Sequence, residues 1–181
     1  MKVEKVGHTT FPFGSTASDT PLVYFLKRAQ ILVAETWAAF FPAPSPDKIP
    51  HPIFPGGGIH QLTMFADYRV PQVLHHLKIL TYPPSLLTLL ESGHYFEHGS
   101  KEEVSIRAAS IVAVERVRDE ILALRHQDKE TADSTSIGEE YGVNVPVSSA
   151  LIDFYLWDAA KEIEAGGGAV VPEHRTRSIW Y

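Results

Sequence analysis

The sequence predicts an all-α fold, on three observations. Apolar positions recur at helical spacing through residues 22–41 and 147–164. A Ser100/Glu103 pair has the capping-box spacing and opens the longest helical run. Proline and glycine then punctuate the ends of nearly every run, which is how short helices are stopped and turned.

Each element follows from local chemistry. The first 20 residues, rich in turn formers, read as a loose lead-in with little core. Thr20 as N-cap and Pro21 at the first position start a helix that runs from Leu22 to Phe41, apolar on most of its circumference, and Pro42 ends it. Its Lys27 and Arg28 fit a solvated face or a phosphate contact. Pro42 to Gly58, with six prolines and a glycine triplet, is neither helix nor central strand and reads as a long surface loop. A short helix is expected from Pro71 to about Leu80 and another from Ser85 to about Ser92, stopped at Gly93. The capping box starts a helix from Lys101 to about Arg125 whose first half is apolar nearly all round, predicting cover on several sides. Arg107 lies within it and requires a carboxylate partner if buried. Residues 125–142 are polar and read as an exposed connection. Asn144 and Pro146 fit the start of a helix over Val147–Glu164, ended by Gly166–Gly168, and the aromatic end Ile179-Trp180-Tyr181 suggests a docked C-terminus.

A chain of 181 residues buries one core, so a single domain over 1–181 is expected. The net charge of -6 and the absence of a Lys/Arg run argue against polymeric nucleic acid as a ligand. With no cysteine, disulfides, thiolate metal sites and a cysteine nucleophile are excluded. No apolar run is long enough for a bilayer, and MKVEKVGHTT lacks the apolar core of a signal peptide, so a soluble, cytoplasmic protein is expected.

The chemistry concentrates in two stretches. Phe65-Ala66-Asp67-Tyr68-Arg69 sets a carboxylate between aromatics and beside a guanidinium, where an extended segment meets the helix announced by Pro71. Asp67 there suits either a working carboxylate or a helix cap and Arg69 partner. In VSSALIDFYLWDAAKEIE, Val147, Leu151, Phe154 and Asp158 fall on one line, which points Asp158 at the core. Asp153 lies about 140 degrees round from it on an ideal helix. A carboxylate on a buried face must be paired, neutralised or given donors, and Arg107 or Lys27 are the candidate partners. Nine histidines are present, but neither His94/His98 nor His75-His76 is completed to a ligand set, so no metal is expected.

The ordered strings FLKRAQILVAETWAAF, LTMFADYRVPQVL, GSKEEVSIRAASIVAVE, VSSALIDFYLWDAAKE and EHRTRSIWY resemble the queuosine salvage protein family over Leu22 to Tyr181. Members are longer, so the resemblance makes these residues the C-terminal part of a longer domain. It implies a fold similar to helical DNA glycosylases, no metal or cofactor, and an N-glycosylase that hydrolyses queuosine 5'-phosphate to release queuine for tRNA modification. It also implies Asp67 as the catalytic carboxylate, Phe65 as a base contact, and Asp153 and Asp158 in base recognition. Tyr68 offers a stacking face, while Arg69, Lys27, Arg175 and Arg177 are the cations available to a phosphate. The alternative is a catalytically incomplete fragment or non-enzymatic helical interaction protein of the same family.

Overall fold

The computed structural model describes residues 23–41, 50–55, 58–131, 147–168 and 170–178. Five helices carry it: α1 (Lys27–Ala39), α2 (Arg69–His76), α3 (Pro84–Glu91), α4 (Lys101–Thr131) and α5 (Ser149–Ala165). A 3-10 turn (Gly58–Gln61) precedes α2, and two-residue strands β1 (Tyr95–Phe96) and β2 (Arg175–Thr176) form one parallel ladder. The architecture is predominantly helical. The lead-in, the Thr20/Pro21 cap, most of the proline-rich loop, the Asn144/Pro146 start and Ile179–Tyr181 lie outside the described residues.

The helix boundaries differ from expectation for local reasons. α1 begins at Lys27 because Leu26 turns left-handed, at φ 47°, with its carbonyl accepting the N–H of Gln30 at 3.0 Å. The Gln30 amide also donates to the Phe25 carbonyl at 3.0 Å, fixing the entry as a non-helical arm. α2 starts two residues before Pro71. Proline is tolerated there because N–H groups of a first turn have no helical acceptor anyway. The chain leaves α2 through Lys78 at φ 62°, where the N–H groups of Ile79 and Leu80 both return to the Leu74 carbonyl, so this helix stops at His76 without a glycine. α3 ends as its sequence says, on Gly93 at φ 69° with His94 N–H on the Leu89 carbonyl.

At the start of α4 the Ser100 hydroxyl accepts the Glu103 N–H at 3.4 Å, and the Glu103 carboxylate reaches back to Gly99 N–H at 3.1 Å. Its buried residues, Glu103, Ile106, Arg107, Ser110, Ala113 and Val114, recur every three or four positions. Val112 is 51% exposed, so among the described residues this helix is covered on one face rather than all round. α4 also continues to Thr131 through residues expected to form the polar connection.

Three apolar clusters make the core, and two of them meet at residues 64–65. Met64, Val70, Val73 and Leu74 pack with Ala113 and Val114 of α4 and Leu156 and Ala160 of α5. Phe65 joins Ala34 and Trp37 of α1, Ile59 and Ala150 in a second cluster, and Leu90, Phe96 and Ile106 form the third. Residues 62–67 are non-helical, so neighbouring side chains diverge: Met64 enters one cluster and Phe65 another. His51 pins the arm before this segment. Its Nδ1 accepts the N–H groups of Ile53 and Phe54, which leaves Nε2 to donate to the Trp37 carbonyl at 2.8 Å.

Candidate active site

The site is built where residues 65–67 cross the buried face of α5. Ala66 is fully buried and left-handed at φ 48°, a conformation that costs a non-glycine residue about 1 kcal/mol or more. That turn sends the two adjacent residues to different partners. Phe65 N–H donates to Asp153 Oδ2 at 2.9 Å, while Asp67 Oδ1 accepts the N–H groups of Arg69 at 3.1 Å and Val70 at 2.9 Å. Asp67 therefore caps the first turn of α2 and remains buried, at 2% exposure, beside the α5 carboxylate.

Two buried carboxylates that repel each other resist ionisation. Burial pushes the Asp67 carboxyl above the usual carboxylate range, against the pull of the Val70 N–H and the Lys27 ammonium. Burial, and then the charge of Asp67, raises Asp153 to about 7, with Phe65 N–H and Lys27 acting the other way. Lys27, half-buried at the start of α1, is lowered by its own burial, a shift that Asp67 and Asp153 oppose. The solvated helix face is thus the wrong reading of Lys27: it is the cation that faces both acids. At the site's edge its Nζ lies 5.5 Å from the Tyr68 ring centroid.

Arg107 closes the back of the site. Its Nε–H donates to the Ala66 carbonyl at 2.9 Å, and its NH1 pairs with Glu103 Oε1 at 2.8 Å, so the carboxylate partner is one turn away on α4 rather than Asp153. The guanidinium carbon sits 4.1 Å from the Phe25 ring centroid, in cation–π range. His174, 4% exposed, is held neutral: burial, then the charges of Arg107 and Lys27, depress it to about 4. Its approach depends on the docked C-terminal segment. Gln72 of α2 donates to the Val171 carbonyl at 2.7 Å, and Arg175–Thr176 pair with Tyr95–Phe96. Sequence reasoning expected docking from Ile179, Trp180 and Tyr181, which lie outside the described residues, and assigned no role to His174, whose only signal was its place in that cation-rich tail.

The other residues fall as follows. The Phe65 ring is in the core, edge-on to Phe154 at 5.4 Å, and what it gives the carboxylates is its N–H. Tyr68 packs edge-on against Trp157 at 6.1 Å. The Arg69 guanidinium turns away from Asp67 to Glu164, at 2.8 Å, and covers the Trp157 ring at 5.0 Å. Asp158 does not point at the core: its side chain is 72% exposed and pairs with Lys161 at 2.9 Å. The buried residues of α5 are instead Ser149, Ala150, Asp153, Leu156 and Ala160: Leu156 and Ala160 pack with α2 and α4, Ala150 packs with α1, and five residues further along an α-helix from Asp153 is about 140 degrees away. Asp158→Ala is accordingly expected to change stability by less than about 0.5 kcal/mol, as for a surface position, read from a denaturant melt.

Among the described residues no group of three or more His, Cys, Asp or Glu side chains is placed to hold a metal, and no helix is long and apolar enough to cross a membrane.

The family model for the queuosine salvage protein matches residues 15–181. Queuosine 5'-phosphate N-glycosylase/hydrolases from Nematostella vectensis and Mus musculus are each 40% identical to the chain, over 159 and 167 residues. One from Sphaerobacter thermophilus is 38% identical over 159 residues. Each alignment covers 88% of this chain but only 42%, 41% and 40% of the respective relative, so the chain spans about two fifths of their length.

Proposed function

Since the chain belongs to the queuosine salvage protein family, we propose that it contributes the catalytic carboxylate and the base-recognition carboxylate for hydrolysis of the N-glycosidic bond of queuosine 5'-phosphate. The observation that carries this reading is the buried pair Asp67 and Asp153 facing one ammonium, Lys27. Such a pair is costly to bury, and buried acids with raised proton affinity facing a cation mark a candidate functional site.

In the reaction the C1'–N bond breaks, the base leaves with the bonding electrons, and a water oxygen bonds to C1'. The proton that water gives up balances the one the departing base takes up, leaving queuine and ribose 5-phosphate. Ionised Asp67 stabilises the positive charge that develops on the ribose and orients the water. Its Oδ1 is fixed by two backbone N–H groups, which hold the carboxylate without protonating it. Asp153, with Oδ2 fixed by Phe65 N–H, presents Oδ1 to the adjacent N–H donors of a 7-deazaguanine edge. Lys27 favours the ionised form of both acids against their burial, and Tyr68 flanks it as an aromatic wall.

Incubating the purified chain with queuosine 5'-phosphate and following queuine by mass spectrometry tests the proposal. Release of queuine and ribose 5-phosphate in equal amounts is expected. A folded chain that releases none overturns it and favours the alternative, a catalytically incomplete fragment or a non-enzymatic interaction protein of the family. A pH profile adds a second check. Base recognition needs ionised Asp153, which ionises near 7 in the free protein, so kcat/KM should fall tenfold per unit as pH drops below about 7. The donors of the bound base favour the charged form, so the limb in kcat should lie at lower pH.

A further inference from the structure

The mechanism above uses residues 65–67 and leaves the buried Glu103–Arg107 pair without a task. Both side chains are almost wholly enclosed, at 1% and 4% exposure, and a buried ion pair is not in itself a source of stability. Its connections run in one direction. Gly99 N–H holds one oxygen of Glu103, the other oxygen holds Arg107 NH1, and Arg107 Nε–H holds the carbonyl of Ala66. Ala66 is the left-handed residue between the two that fix the carboxylates. The Arg107 charge bears on Lys27 and His174, whereas the charges bearing on the acids are those of Lys27 and Arg69 for Asp67 and those of Asp67 and Lys27 for Asp153.

We propose that Arg107, anchored by Glu103, is a positioning residue for the reaction: through the Ala66 carbonyl it locks the strained 65–67 turn that aims Phe65 N–H at Asp153 and Asp67 at its water. Alanine left to itself leaves the left-handed region. A fixed donor on its carbonyl, with the Phe25 ring against the guanidinium, keeps the peptide turned. The inference rests on the proposed activity for its kinetic consequence, but its structural consequence stands without it.

Arg107→Lys is the test, because it keeps the charge beside Lys27 and His174 and removes the Nε donor. Two readouts separate this inference from the activity itself. The first needs no substrate: the carboxyl carbon of Asp153 is titrated by NMR in the wild type and the variant. With Phe65 N–H no longer held on Oδ2, and with Asp67 and Lys27 unchanged, the midpoint should rise by half a unit or more. The second is turnover of queuosine 5'-phosphate, where kcat should fall thirtyfold or more with KM within threefold, at an unchanged folded fraction by circular dichroism. In an Ala66→Gly background, where the left-handed turn is unstrained, both effects of Arg107→Lys should shrink. A rise in the Asp153 midpoint of less than half a unit overturns the proposal, as does a kcat loss that merely tracks loss of folded protein. If the wild type releases no queuine, the functional reading fails while the titration still decides the role of Arg107. If Arg107→Lys does not fold, Glu103→Gln replaces it, with the same two readouts and the same direction, since it slackens the anchor and leaves the guanidinium in place.

Discussion

Asp67→Asn is expected to lower release of queuine about 10³-fold while the variant unfolds within a few degrees of wild type. The magnitude is that of removing a charge fixed against a developing cation or oxyanion in a water-poor site. The stability half of the expectation follows from the double duty of this side chain. Asp67 Oδ1 takes two N–H groups at the start of α2, and asparagine offers the same oxygen in the same place, being about as good an acceptor at a helix start. Asp67→Ala, by contrast, should lose the catalytic charge and in addition about 1 kcal/mol of helix-start stabilisation. Measuring kcat and a thermal melt on both variants separates the two duties. Turnover of Asp67→Asn within tenfold of wild type would remove Asp67 from the chemistry.

The second large effect runs the other way on stability. Asp153 ionises near 7 when folded against 3.8 as a free side chain, so the folded state holds a proton that the unfolded chain has released. A raised carboxyl is therefore harmless below about pH 4, weakens the fold progressively between about 4 and 7, and exacts its full cost above 7. At 1.36 kcal/mol per unit that cost is at most about 4 kcal/mol. Asp153→Asn cannot ionise and keeps an oxygen for Phe65 N–H, so it should be more stable than wild type by about 2 to 4 kcal/mol at pH 8 and equal to it at pH 4. Denaturant melts at the two values check this. The same variant should bind queuine at least tenfold more weakly, since a neutral amide meets the base edge with one donor where an acceptor is needed. A stabilised variant that binds the base as well as wild type would show that Asp153 is only a buried liability.

Much of this was legible in the residues, and the failures have particular causes. Capping chemistry is local, so Ser100/Glu103 and the Gly93 stop appeared as read. The Phe65–Arg69 stretch was recognisable because Pro71 marks the passage from extended chain to helix. Which face of α5 is buried was not, because a helix with apolar residues all round carries no stripe to orient it, and the deciding residues were the small ones, Ala150 and Ala160. The Arg107 partner was missed although it stood four residues away, since Glu103 was already accounted for as a cap and one carboxylate has two oxygens. Left-handed Ala66 and Leu26 had no signal at all: nothing in alanine or leucine asks for that conformation, and only the tertiary contacts impose it.

The parallel pairing of Arg175–Thr176 with Tyr95–Phe96 sets a timetable for synthesis. Phe65 waits 88 residues for Asp153, and Gln72 waits 99 for the Val171 carbonyl, so the acidic pair and the segment docked on α2 are assembled from distant parts of the chain. Before Asp153 has been made, Asp67 lacks the α5 carboxylate that lies beside it in the folded protein. The proton affinity of Asp153 therefore comes from a pairing that its sequence neighbours cannot make, since the charge of Asp67 and the Phe65 N–H reach it only once α5 lies on residues 65–67.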